Sequence, residues 1–172
     1  MDFLNVTQVL NYIDLKKNMS VAEFGCGSAD FTIALAKKLP MGRVYALDIQ
    51  EEKLSALEGK LAVQGIDNVS MILCDLEAPK GSTIKDDSLD VVFIPNVLFQ
   101  AENKHGMIEE AKRVIKSGGQ LLIIDWLAGA PFGPKDGLVT PDEIKGIAKK
   151  LGLSLKKEFA AGDYHYGLLF VK

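Results

Sequence analysis

Three acids and two glycines carry the chemistry this sequence can do. Glu23-Phe24-Gly25-Cys26-Gly27-Ser28-Ala29 follows the apolar pair Val21-Ala22, the pattern of a buried strand that breaks into a glycine turn and then enters a helix. Glycines at 25 and 27 let the backbone turn tightly with a ligand lying against it. Asp48 stands at the end of the next apolar run, about twenty residues beyond the glycines. There its carboxylate can accept hydrogen bonds from both hydroxyls of a ribose. Asp75 closes a third run, Val69-Ser70-Met71-Ile72-Leu73. An acid at a strand end offers only acceptors, so it suits an N–H donor.

Those residues need strands that end at one edge and helices that return the chain between them. Helical periodicity covers 31–39, which Pro40-Met41-Gly42 ends, and 51–64, with Leu54, Leu57 and Leu61 inward and Gly65 as the stop. The runs 43–47, 69–73 and 89–94 read as further strands, the last stopped by Pro95. Another helix is expected over 107–115, a turn at Lys116-Ser117-Gly118-Gly119-Gln120, and an apolar strand Leu121-Leu122-Ile123-Ile124 running into Asp125-Trp126. A Gly- and Pro-containing loop over 128–139 follows, long enough to cover a substrate side. Thr140-Pro141-Asp142-Glu143 then has the form of a capping box. Runs 153–159 and 164–171 predict a closing antiparallel hairpin. Before all of this, Phe3, Leu4, Val6, Val9, Leu10 and Ile13 recur at helical spacing, predicting an amphipathic helix over residues 1–17 that covers a sheet face. The alternation of strand and helix implies one α/β domain over residues 1–172, a doubly wound sheet with helices on both faces and ligands at the carboxyl ends of the strands.

The glycine turn admits two ligand classes. A dinucleotide turn of the form G-x-G-x-x-G requires a third glycine at position 30, which is Asp30, so that spacing fails. An acid followed by G-x-G-x-G fits Glu23, Gly25 and Gly27, with Ala29 in the last place. On this turn, Asp48, Asp75 and the Lys-x-Gly-Gly strand entry at 116–119, the chain resembles the class I S-adenosylmethionine (SAM)-dependent methyltransferases, and among them the small enzymes of the ubiquinone/menaquinone-biosynthesis type. The resemblance runs from about Lys17 onward. It implies a Rossmann-like seven-stranded sheet, mostly parallel, with the last strand antiparallel. It implies SAM as cofactor, held by Glu23, Gly25, Cys26 and Gly27 at the turn and by Asp48 and Ile49 at the ribose. Asp75 would accept from the adenine amine beside Leu76, and Asn96 would stand in the loop that flanks the methyl. In this family an N-terminal helix often lies across the cofactor mouth.

Methyl transfer by in-line displacement needs alignment and exclusion of water rather than a protein nucleophile. Where the acceptor must lose a proton, His165 is the candidate base, brought by the hairpin bend with Asp163 towards Asp125 and Trp126. Phe99, Trp126, Phe132 and Tyr164 are candidates for an apolar acceptor wall. His105, in a polar run, reads as a loop or helix-start residue. The polar-Pro-Pro-aromatic loop of amino-methyltransferases is absent at 95–100, which disfavours N-methylation of adenine or cytosine.

Composition limits the partners. A net charge of −3 and two arginines, Arg43 and Arg113, supply no basic field for nucleic acid. Cys26 and Cys74 belong to no Cys/His cluster, so reduced thiols and no metal are expected. No apolar run nears the ~20 residues of a membrane span, and no basic leader is seen. A cytoplasmic monomer or homodimer acting on a small, aromatic or quinone-like molecule is the leading expectation. A protein or RNA methyltransferase and a SAM-binding module without catalysis are the alternatives.

Overall fold

A computed structural model of the chain describes residues 4–172. Thirteen short elements appear among them in the order α1 (Val6–Leu10), β1 (Ser20–Phe24), α2 (Asp30–Lys38), β2 (Arg43–Asp48), α3 (Glu51–Gln64), β3 (Val69–Leu73), β4 (Leu89–Pro95), a 3₁₀ turn (Leu98–Gln100), α4 (Lys104–Val114), β5 (Ile115–Trp126), α5 (Pro141–Lys150), β6 (Ser154–Ala160) and β7 (His165–Val171). The seven strands form one sheet in the order β3-β2-β1-β4-β5-β7-β6. β3, β2, β1, β4 and β5 pair in parallel, and β7 is antiparallel to both β5 and β6. This is the Rossmann-like sheet expected from the sequence, with its antiparallel last strand.

Side-chain alternation explains the layering. In β4, Val91 and Phe93 face one core while Val92 and Ile94 face the other, and all four are essentially inaccessible. Such strands, buried on both sides, read as continuous apolar runs. α4 and α5 bring Ile108, Ala111, Ile144 and Ala148 to one face. α1, α2 and α3 lie on the other, with Val9, Leu10, Leu35 and Leu57 among their buried side chains. The crossovers through α2 and α3 build the sheet outward from β1 in one direction; those through α4 build it in the other. The chain therefore reverses its direction of winding between β1 and β4, where a crevice opens beyond the strand ends.

Three elements depart from the sequence reading. The N-terminal helix has five residues, not seventeen, and Phe3 lies outside the described residues. It ends because Tyr12 leaves the helical path to stack on Phe159, with ring centroids 3.8 Å apart; Ile13 is buried in the same core. Helical spacing was thus satisfied by packing rather than by a helix. α4 starts at Lys104, three residues early, because the Asn103 side chain accepts from the Gly106 N–H (2.9 Å) and caps the first turn. The Lys-x-Gly-Gly segment is a bulged stretch within β5 rather than a turn before it: Ile115 pairs with Leu89 and Gln120 with Val91. The main chain of Lys172 closes it, accepting from Gly118 and donating to Gly119. A Cβ on Gly119 would stand 2.6 Å from Ile115 Cγ2 and 2.8 Å from the Asp90 carbonyl, so the bulge needs glycine.

Candidate cofactor and acceptor site

The crevice between β1 and β4 is a cavity of about 640 Å³, within the ~300–1,000 Å³ usual for small-molecule sites. Its floor is the turn after β1. Gly25 has φ +77°, and a Cβ there would lie 2.3 Å from Val97 Cγ2. Glycine is required twice over, by backbone conformation and by space. Ala29, where the motif has its last glycine, is also left-handed at φ +73° and buried. The non-glycine residue thus keeps the backbone shape that the motif demands, at some cost in strain.

Asp48, at the end of β2, is 7% exposed and reaches back to the turn. Its Oδ2 accepts from the Gly27 N–H (3.2 Å), its Oδ1 from the Gln50 N–H (3.0 Å), and the Cys26 thiol points at it from 3.8 Å. One carboxylate therefore fixes both the glycine turn and the start of α3. Asp75, after β3, is exposed, and its Oδ1 accepts from Glu77 N–H at 2.9 Å. Burial pushes the Cys26 thiol up to about 12 and the Cys74 thiol to about 11. Both cysteines are free, and as thiols they are poor nucleophiles. Among the described residues, no cluster of three His, Cys, Asp or Glu is arranged for a metal ion, and no helix is long and apolar enough to cross a membrane.

Glu23 lies at the back of the cavity, almost wholly buried, accepting from the Thr32 hydroxyl. Burial raises its pKa from 4.5 to about 8, against the lowering effect of Thr32. Between these values the folded protein holds a proton that the unfolded chain has released, so this group's contribution to stability falls as pH rises from 4.5 to about 8. Glu23→Gln is neutral throughout and removes that slope. Thermal unfolding of both proteins across this range is expected to show the variant gaining on wild type as pH rises, with the gap levelling above about 8; parallel curves would contradict it.

All nine residues marked for the cofactor line this one cavity: Glu23, Gly25, Cys26 and Gly27 on the floor, Asp48 and Ile49 beside them, Asp75 and Leu76 opposite, and Asn96 at the end of β4. Asn96 adopts φ +55°, and its Oδ1 is buried with no hydrogen-bond partner among the described residues. An acceptor so placed on a cavity wall is open to a ligand's donor. Sequence reasoning did not mark Leu4 and Val6, which reach the cavity from the N-terminal segment, or Lys53, Gln100 and Met107. Lys53 sits in the first turn of α3, a position that the motif at Asp48 could have flagged. Nothing in the periodicity of 4–13 separates cavity-facing from core-facing residues.

The hairpin residues fall elsewhere. His165 pairs with Trp126 across β7 and β5, with ring centroids 4.1 Å apart, and is inaccessible to solvent. Burial lowers its pKa to about 4. It stands near Asp125 and Trp126 as the hairpin predicted, but neither it nor they line the cavity. Phe99, Trp126, Phe132 and Tyr164 are outside the lining too; Phe132 and Tyr164 meet edge to face at 6.0 Å.

A doubly wound sheet with a glycine turn and acids at successive strand ends is the architecture on which α/β domains bind nucleoside ligands. The chain belongs to the methyltransferase domain family, whose profile matches residues 15–140. It is 32% identical over 127 residues to a demethylmenaquinone methyltransferase of Geobacillus stearothermophilus, covering 73% of this chain and 53% of that protein. It is 34% identical over 108 residues to a ubiquinone/menaquinone biosynthesis C-methyltransferase of Hydrogenovibrio crunogenus, covering 62% and 41%. The chain thus spans about half the length of these curated relatives. Among solved structures, a SAM-dependent methyltransferase from Aquifex aeolicus superposes with a TM-score of 0.87 at 25% identity, covering 97% of this chain and 89% of that one.

Proposed function

We propose that this protein is a SAM-dependent methyltransferase acting on a small, aromatic or quinone-like acceptor. The observation that carries this reading is the single cavity in which Gly25, Asp48, Asp75 and Asn96 converge. The residues fit the cofactor: Gly25 and Gly27 present bare main chain to the cavity, and Asn96 Oδ1 is a buried acceptor with no partner among the described residues. Asp48 would hold the ribose hydroxyls and Asp75 the adenine amine, each a carboxylate matched to donors. When bound, SAM supplies an electrophilic methyl on a sulfonium. The chain's own contribution is to orient both partners and exclude water, with Leu4, Val6 and Met107 closing apolar parts of the cavity. The relatives' names, both quinone-pathway methyltransferases, favour a quinone-like acceptor.

Titration by calorimetry with SAM, its demethylated product S-adenosylhomocysteine, and NADH tests the cofactor class. Binding of the two sulfur ligands alone is the expected result. Failure of both to bind folded protein would sink the reading.

A further inference from the structure

Asp125 is a buried acid that the proposed chemistry does not use. It lies in β5, fully inaccessible, behind the wall that β4 and the 3₁₀ turn give to the cavity. Its Oδ2 accepts from the Phe99 N–H at 3.2 Å and its Oδ1 from the Trp126 N–H at 2.8 Å; the Leu98 N–H also contributes. Two main-chain donors of the 3₁₀ turn and one of β5 thus converge on one carboxylate. The turn and its flanks carry Asn96, Val97, Gln100 and Ala101, all cavity-lining. Leu98 and Ala101 anchor the segment in the core, and its other polar ties to the rest of the described chain include Asn96 N–H to the Ile124 carbonyl (2.8 Å) and Lys104 Nζ to the Ala101 carbonyl (2.8 Å). The 127–139 loop rests on the same turn, because a Cβ on Gly137 would lie 2.2 Å from the Phe99 carbonyl, and Tyr166 Oη fixes the Val139 carbonyl at 2.7 Å.

We propose that Asp125 is a positioning residue for the acceptor side of the cavity: from outside it, the ionised carboxylate holds the Leu98–Gln100 turn and so sets the wall formed by Asn96, Val97 and Gln100. The inference rests on the methyltransferase reading only in calling that wall the acceptor side. An ionised acceptor binds N–H donors more strongly than a protonated one. Burial raises the Asp125 pKa from 3.8 to about 6, so the hold weakens as pH falls through that value. The titratable groups around it are Lys104 of α4, Tyr166 and His165 of β7, and Glu143 of α5, which acts on Tyr166. Burial keeps Tyr166 neutral, and His165 titrates lower, at about 4.

Amide hydrogen exchange reads the wall without any cofactor. With rates corrected for intrinsic pH dependence, amides of 96–101 in Asp125→Asn are expected to exchange about tenfold faster than in wild type at about pH 7.5. Those of 21–29 are expected to be unchanged. In wild type, protection over 96–101 alone is expected to fall between about pH 7.5 and about pH 5, which keeps the test available if the variant does not fold. Trp126, the single tryptophan, adjoins Asp125, and its emission is expected to shift through about pH 6 in wild type and not in the variant. Unchanged protection over 96–101, or faster exchange spread evenly through the molecule, would overturn the proposal. Because the exchange and emission readouts use protein alone, failure of wild type to bind SAM would count against the proposed function and not against this inference.

Discussion

Asp48→Ala is expected to lower affinity for SAM and for S-adenosylhomocysteine by about a hundredfold, and by the same factor for both. The size follows from two charge-assisted hydrogen bonds to ribose hydroxyls at ~1.5–3 kcal/mol each, partly recovered by water in the variant, which leaves about 3 kcal/mol. The equality follows because the ribose is common to the two ligands while the methyl is not. Asp48 also accepts from Gly27 and Gln50, so the variant loses stability as well, about 1–2 kcal/mol for the orphaned turn and helix-start donors. Asp48→Asn separates the effects. It keeps the side-chain shape and one carbonyl acceptor, so one of the Gly27 and Gln50 N–H donors keeps its partner; about half of the stability loss is expected to return and the affinity loss to shrink to about tenfold. Calorimetric titration of the folded variants, with melting curves alongside, checks this. Unchanged affinity in Asp48→Ala would remove the ribose role from this carboxylate.

The acids at strand ends were legible because the chemistry and the fold ask for the same thing at the same place. A carboxylate after β2 both receives a ribose and ties down Gly27 and Gln50, so the pattern of an apolar run followed by Asp48 reports strand, turn and site together. The bounds of α3 and of the closing hairpin were legible for a similar reason: Gly65 and the 160–163 connection act locally. The Asp125 clamp was not, because it joins residues 26 positions apart, and an acid at the end of an apolar run looks the same whether it faces a cavity or the main chain behind it. His165 shows the converse. The hairpin correctly brought it beside Trp126, yet β7 is covered on both faces and buries every residue from His165 to Phe170, and no pattern in 160–166 reveals which way the bend directs it. The five-residue α1 illustrates a further limit. Val9, Leu10 and Ile13 are buried as a helix would bury them, but the stack of Tyr12 on Phe159 is a contact between the two ends of the chain.

Gly25→Ala is expected to destabilise the protein by about 2–5 kcal/mol, of which ~1–2 is the left-handed backbone and ~1–3 the collision with Val97. For a domain of this size that is a fall in Tm of roughly 5–15 °C. Cofactor affinity falls with it, by at least about tenfold, because Gly25 and Val97 face each other across the cavity floor and either must move to admit the methyl. The two contributions can be parted. Val97→Ala removes the Cγ2 that stands 2.3 Å from the new Cβ but leaves φ at Gly25 as it is. The double variant is therefore expected to be more stable than the sum of the single effects by about 1–2 kcal/mol, with affinity recovering in step and never to the wild-type level. A coupling near zero would mean that the turn after β1 yields rather than Val97. The floor of the cavity would then be set by backbone conformation alone, and the close approach of β1's turn to the β4 loop would have no part in shaping the site.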